Sequence, residues 1–107
     1  MVDLNIKWKS LLKKLENQFN QEMSLKGILY LIGVQELGFG IKQYSREEKI
    51  NVLHVATCKV LSPFGFYKLD RIDEDGWPHY IELKAVKKLS NKDQELLMKK
   101  AVLKYLD

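Results

Sequence analysis

A chain of 107 residues is the length of one domain, and folding at this size buries roughly two-thirds of the surface an unfolded chain exposes, enough for one core. Hydrophobic residues make up 46% and charged residues 30%, the balance of an ordered globular protein, and no Gly-, Pro- or Ser-rich stretch marks a linker. The longest apolar run, Gly27 to Val34, falls far short of a membrane span, the lone Cys58 rules out an internal disulfide framework or a multi-cysteine zinc site, and a net charge of +4 permits an acidic partner without requiring one.

The expectation is one ordered domain over 1–107, cytoplasmic, with no membrane partner. Sixteen of the eighteen basic residues are lysine. Lysine is a solvated point charge, whereas arginine is the residue favoured for bidentate reading of phosphate or guanine, so a sequence-reading nucleic-acid surface would carry more arginine.

Leu4, Trp8, Leu11, Leu15 and Phe19 recur at spacings of three and four, one apolar stripe of a first helix over about 4–20 with Asp3 as its cap. Lys7, Lys9, Lys13 and Lys14 flank that stripe on two sides and read as a solvated face. Such an amphipathic helix packs in its own core or across a homodimer interface; both stay open.

The second helix runs from Ser24 to Leu37 and is apolar almost all round, which predicts burial on most of its surface. Gly27 and Gly33 weaken it, so close approach of a neighbouring helix is expected, and Gly38 stands where a left-handed C-terminal cap belongs, with Phe39 folding back. A third helix opens on the capping box Ser45-Arg46-Glu47-Glu48 and carries Ile50, Leu53, Val60 and Leu61 inward. It stops at Ser62-Pro63, because a residue before proline is pushed out of the helical region.

From Phe66 the period becomes two. Residues 66–72 and 77–86 form a β-hairpin joined through Asp73-Glu74-Asp75-Gly76, with Asp75-Gly76 suited to positive φ and Trp77 and Tyr80 on opposite faces. Ser90 then caps a last helix whose stripe is Leu97, Ala101, Val102, Tyr105 and Leu106. The fold class is α+β, mainly α: three helices, a hairpin and a C-terminal helix.

Three places invite chemistry. Against the calcium-loop pattern, residues 71–82 put Asp73, Asp75, Gly76 and Glu82 at positions three, five, six and twelve, but Arg71 holds position one and the flanks are strands, so a hairpin turn with solvated acids is the reading and no metal is expected. His54 and Cys58, four apart on one helix, can touch; among Val52, Val55 and Ala56 they read as packed. No phosphate-binding glycine loop, zinc-protease helix or nucleophile elbow is present, so no catalytic residue and no cofactor are assigned.

The order of elements resembles winged helix-turn-helix domains. That resemblance implies nucleic-acid binding with helix three as reader and 71–79 as wing, although Asp73-Glu74-Asp75 at the wing tip repels phosphate. The stretches LIGVQELG (31–38), EEKINVLHVATC (47–58) and DEDGWPH (73–79) are also similar to a group of small proteins from Bacteroidota-type bacteria, which implies a bacterial cytosolic origin and no particular site.

The reading that follows is a small non-catalytic interaction module binding a protein partner through hairpin aromatics and a helix face, with Trp77, His79 and Tyr80 as the contact residues. The alternative is nucleic-acid binding through Lys7, Lys9, Lys13, Arg46 and Lys49.

Overall fold

The computed structural model describes residues 3–40 and 42–106; the bounds of the expected domain, 1 and 107, lie outside them. The elements are α1 (Leu4–Phe19), α2 (Leu25–Leu37), α3 (Arg46–Leu61), β1 (Tyr67–Ile72), β2 (Pro78–Glu82) and α4 (Asn91–Leu106). This is the α+β, mainly helical order read from the sequence.

Each helix starts where its cap places it. Asp3 accepts from the Asn5 amide, Ser24 from Gly27, and Ser90 from Asp93, at 3.0 to 3.1 Å. At α3 the box is reciprocal, with the Ser45 hydroxyl accepting from the Glu48 amide and Glu48 accepting from the Ser45 amide. Gly38, at φ 67°, ends α2, and its amide donates to the Val34 carbonyl.

The end of α3 departs from the proline argument. Ser62 stays helical at φ −56°, ψ −47°, and the chain tightens into a 3-10 turn over Ser62–Phe64 before Gly65 turns it away. The Ser62 hydroxyl donates to the Cys58 carbonyl at 2.9 Å, which holds this last turn closed.

α3 is the centre of the molecule, with α2, α4 and the hairpin packed around it and α1 lying on α4. Ile28, Ile32, Val60, Leu61 and Val102 meet in the main core, each worth about 1.5–3 kcal/mol of burial. A second cluster of Leu37, Tyr44, Val52 and Val55, covered by Phe39 and Trp77, sits under the hairpin. Because α3 is buried on several sides, its core set is Val52, Val55, Ala56, Cys58, Val60 and Leu61. Ile50, expected inward, is 61% exposed, and Phe19 and Leu106, expected on their helix stripes, are also exposed.

Gly33 lets α2 and α3 touch, since a Cβ there would stand 2.4 Å from the Val52 carbonyl oxygen. One turn further along α2, Glu36 pairs with Lys59, further along α3, at 3.6 Å. The contacts advance in the same sense along both helices, so their first turns open at the same end of the pair. Between α2 and α3 the chain makes its return, where Tyr44 is buried edge-on to Tyr30, ring centres 6.3 Å apart. This eight-residue return separates the pair from a helix-turn-helix, whose two helices are joined by about three or four residues.

The hairpin pairs Tyr67 with Glu82, Lys68 with Ile81 and Leu69 with Tyr80, then resumes with Arg71 opposite His79, leaving Asp70 as a bulge. Its second strand is shorter than the alternation predicted. The ladder ends at Glu82, apart from the Leu83 amide bonded to the Phe66 carbonyl, and Val86–Lys88 turns as a 3-10 segment that carries Val86 into the core.

Candidate functional site

The stretch with the densest chemistry is the hairpin tip. Gly76 donates to the Asp73 carbonyl at 3.0 Å, and Asp73 donates to the Trp77 carbonyl at 2.9 Å, with only Gly76 at positive φ (88°). That is a type I turn followed by a left-handed residue, a three-residue loop in which Asp75 keeps negative φ, contrary to the expectation for Asp75-Gly76.

The Asp73 carboxylate closes this loop. One oxygen accepts from the Asp75 and Trp77 amides at 2.9 and 3.0 Å, and the other accepts from His79 Nε2 at 2.8 Å. These bonds, the His79 one foremost, hold its pKa below the usual carboxylate range. The residue that mimics a calcium ligand in the sequence is a turn clasp, and Glu74 and Asp75 point their charge to solvent.

A cleft of about 350 Å³ separates the hairpin from α3, lined by Glu48, Asn51 and His54 on one side and by Asp73, Trp77 and His79 on the other. Its acids are occupied: Asp73 as above, and Glu48 by the Ser45 amide and by Lys42 at 3.3 Å. Cys58 does lie 3.5 Å from His54 Nε2, as their spacing allows, but the thiol is fully buried, and desolvation with the nearby Glu82 charge pushes it up to about 11. A thiol protonated at neutral pH is a packing group. No cluster of three or more potential metal ligands forms among the described residues.

The aromatics are spent on attachment. Trp77 packs edge-on against Phe39, ring centres 5.6 Å apart, and Tyr67 meets His54 at 6.3 Å. Trp77, His79 and Tyr80 are each half-buried, so neither aromatic face stands wholly free. What the hairpin leaves outside is aliphatic: Leu69, Ile81 and Leu83 are 47%, 47% and 55% exposed.

A wider groove of about 620 Å³ opens between the first turns of α2 and α3, lined by Lys26 and Tyr30 from one helix and Arg46, Lys49, Ile50 and Leu53 from the other. It unites two of the five nucleic-acid candidates, Arg46 and Lys49, with Lys26, which no sequence signal singles out. Lys7, Lys9 and Lys13 are exposed on α1 and line neither cleft. The groove depends on how α2 and α3 lie side by side, and the one signal that pointed to it, the conspicuous glycine at 33, shows only that some neighbour comes close.

No helix among the described residues is long and apolar enough to cross a membrane. No family model matches the chain, and no curated protein or solved structure shows significant similarity to it.

Proposed function

We propose that the protein is a small non-catalytic interaction module that binds a protein partner through its β-hairpin, in a bacterial cytosol. One observation carries this reading: Ile81 on β2 and Leu83 just past its end are both exposed on a hairpin whose Tyr67 is turned into the core. Aliphatic side chains with Lys68, the cross-strand partner of Ile81, beside them have the make-up of a contact patch, an apolar middle with a polar border. The exposed edge of His79 borders it, and Tyr80 lies on the opposite face.

The test is an Ile81→Ser, Leu83→Ser double variant. Both side chains are surface groups, so its circular dichroism matches wild type, and a partner crosslinked to the wild-type hairpin is lost. Retention of that partner at wild-type yield overturns the reading. Nucleic-acid binding is the second reading, favoured by Arg46, Lys49 and Lys26 sharing one groove. It requires an affinity for DNA or RNA that falls steeply with added salt.

A further inference from the structure

We propose that two copies of this chain associate by exchanging hairpin tips, Glu74 and Asp75 of each copy entering the α2/α3 groove of the other, where Lys26, Arg46 and Lys49 meet them. The charges match and are unspent. Among the described residues, neither the three groove cations nor the two tip acids form an ion pair within the chain, whereas Asp73 beside them is consumed by the turn. The tip therefore offers two solvent-facing carboxylates on a three-residue loop closed by its own hydrogen bonds.

The apolar surface matches as well. Ile72, at the base of the tip, is 63% exposed, and Ile50, within the groove, is 61% exposed. Among the described residues, Ile6 alone of the other exposed large aliphatics reaches that range. Two isoleucines left in water, one beside each of two opposite charge clusters, are both covered when tip meets groove.

Tip and groove also border the same helix. Glu48, Asn51 and Val55 of α3 face the hairpin, while Arg46, Lys49 and Leu53 face the groove. A two-fold axis across the exposed part of α3 thus pairs each tip with the other groove, and the contact is made twice.

The experiment is a charge swap read by analytical ultracentrifugation. Wild type sediments as a dimer that dissociates with added salt. Arg46→Glu, Lys49→Glu and, separately, Glu74→Lys, Asp75→Lys each weaken association by roughly tenfold or more and sediment as monomers. An equimolar mixture of the two variants restores the dimer, because in that mixed pair both tips meet grooves of opposite sign. These side chains are exposed and hold no intramolecular ion pair, and circular dichroism checks that each variant is folded.

A monomeric wild type overturns the proposal, as does a dimer that survives both reversals or a mixture that stays monomeric. Wild type that is monomeric but binds a synthetic Asp/Glu-rich peptide, and loses it with Arg46→Glu, Lys49→Glu, assigns the groove to a foreign acidic segment instead. The outward face of the hairpin is a separate matter: Ile81→Ser, Leu83→Ser leaves the dimer intact, so this proposal and the partner-binding reading fail independently.

Discussion

Gly33 faces the backbone of Val52 so closely that a single methyl group would fall 2.4 Å from the Val52 carbonyl oxygen and 2.7 Å from its side chain. The obstacle is main chain, which cannot swing aside. Gly33→Ala therefore destabilises the fold by about 1–3 kcal/mol of overpacking, against which a helix gain of up to about 1 kcal/mol works. Gly27 is the internal control: a Cβ there meets only the Ser24 hydroxyl at 3.4 Å, so Gly27→Ala raises stability by as much as about 1 kcal/mol. Urea unfolding of the two variants gives opposite signs; a neutral Gly33→Ala would contradict the close crossing of α2 and α3.

Asp73→Asn keeps an oxygen for the Trp77 and Asp75 amides and removes the charge facing His79. Because the folded pKa of Asp73 is lowered, its ionised form stabilises the fold fully above the unfolded value, about 3.9, and that contribution is lost as pH falls through the folded value. Unfolding midpoints of wild type and variant should thus differ near neutral pH and converge in acid below about pH 4. A difference that is unchanged across the acid range means the charge plays no part in the turn.

Tyr105 on α4 donates to Glu36 on α2, and Glu36 also holds Lys59 on α3, so one carboxylate ties three helices. Burial first, then the Glu36 hydrogen bond and charge, push the Tyr105 phenol up to about 12. The stability this raised pKa supplies is complete below the unfolded value near 10 and disappears as pH climbs toward about 12. In an alkaline absorbance titration a tyrosine step near pH 12 belongs to Tyr105 and vanishes in Tyr105→Phe. That variant loses only about 0.5–1 kcal/mol, the low end for a hydrogen bond, because the pair is open to solvent.

Cys58 reacts with thiol reagents only when the protein unfolds. It is fully buried, with its thiol pushed up to about 11. Labelling at neutral pH follows the denaturant transition, and Cys58→Ser, which swaps a weakly polar group for a hydroxyl in an apolar site, costs about 1–3 kcal/mol. Fast labelling of the native protein would instead mark the His54–Cys58 pair as a reactive centre.

Local chemistry was legible in the sequence where one residue decides one bond. Ser45 with Glu48, Ser90, Asp3 and Gly38 all terminate helices as their types require, and the change of period at Phe66 locates the hairpin. Illegible were the features set by which side of an element meets a neighbour. Ile50 fits the apolar spacing of α3 as well as Val52 does, yet only Val52 lies beneath Gly33. The Asp70 bulge leaves no mark in the alternation, and the Phe39–Trp77 contact joins residues 38 positions apart through a loop whose path the sequence does not disclose. Lys26, Arg46 and Lys49 became a group only once α2 and α3 were seen to open at one end.

Trp8 on α1 is buried against a core shared with Ala101 and Val102 of α4, and Lys99 lies over its ring at 5.7 Å. Of these four helices, the one made before the other three thus finds its shelter beneath the one that follows them. While the ribosome is still at work, α2 and α3 can settle together and the hairpin can close, but the indole of Trp8 stays uncovered until α4 emerges. In a Trp77→Phe variant, where Trp8 is the one indole left, fluorescence during refolding is then a clock for the docking of α4, and a chain halted before α4 leaves the apolar stripe of α1 open for chaperones to hold or proteases to find.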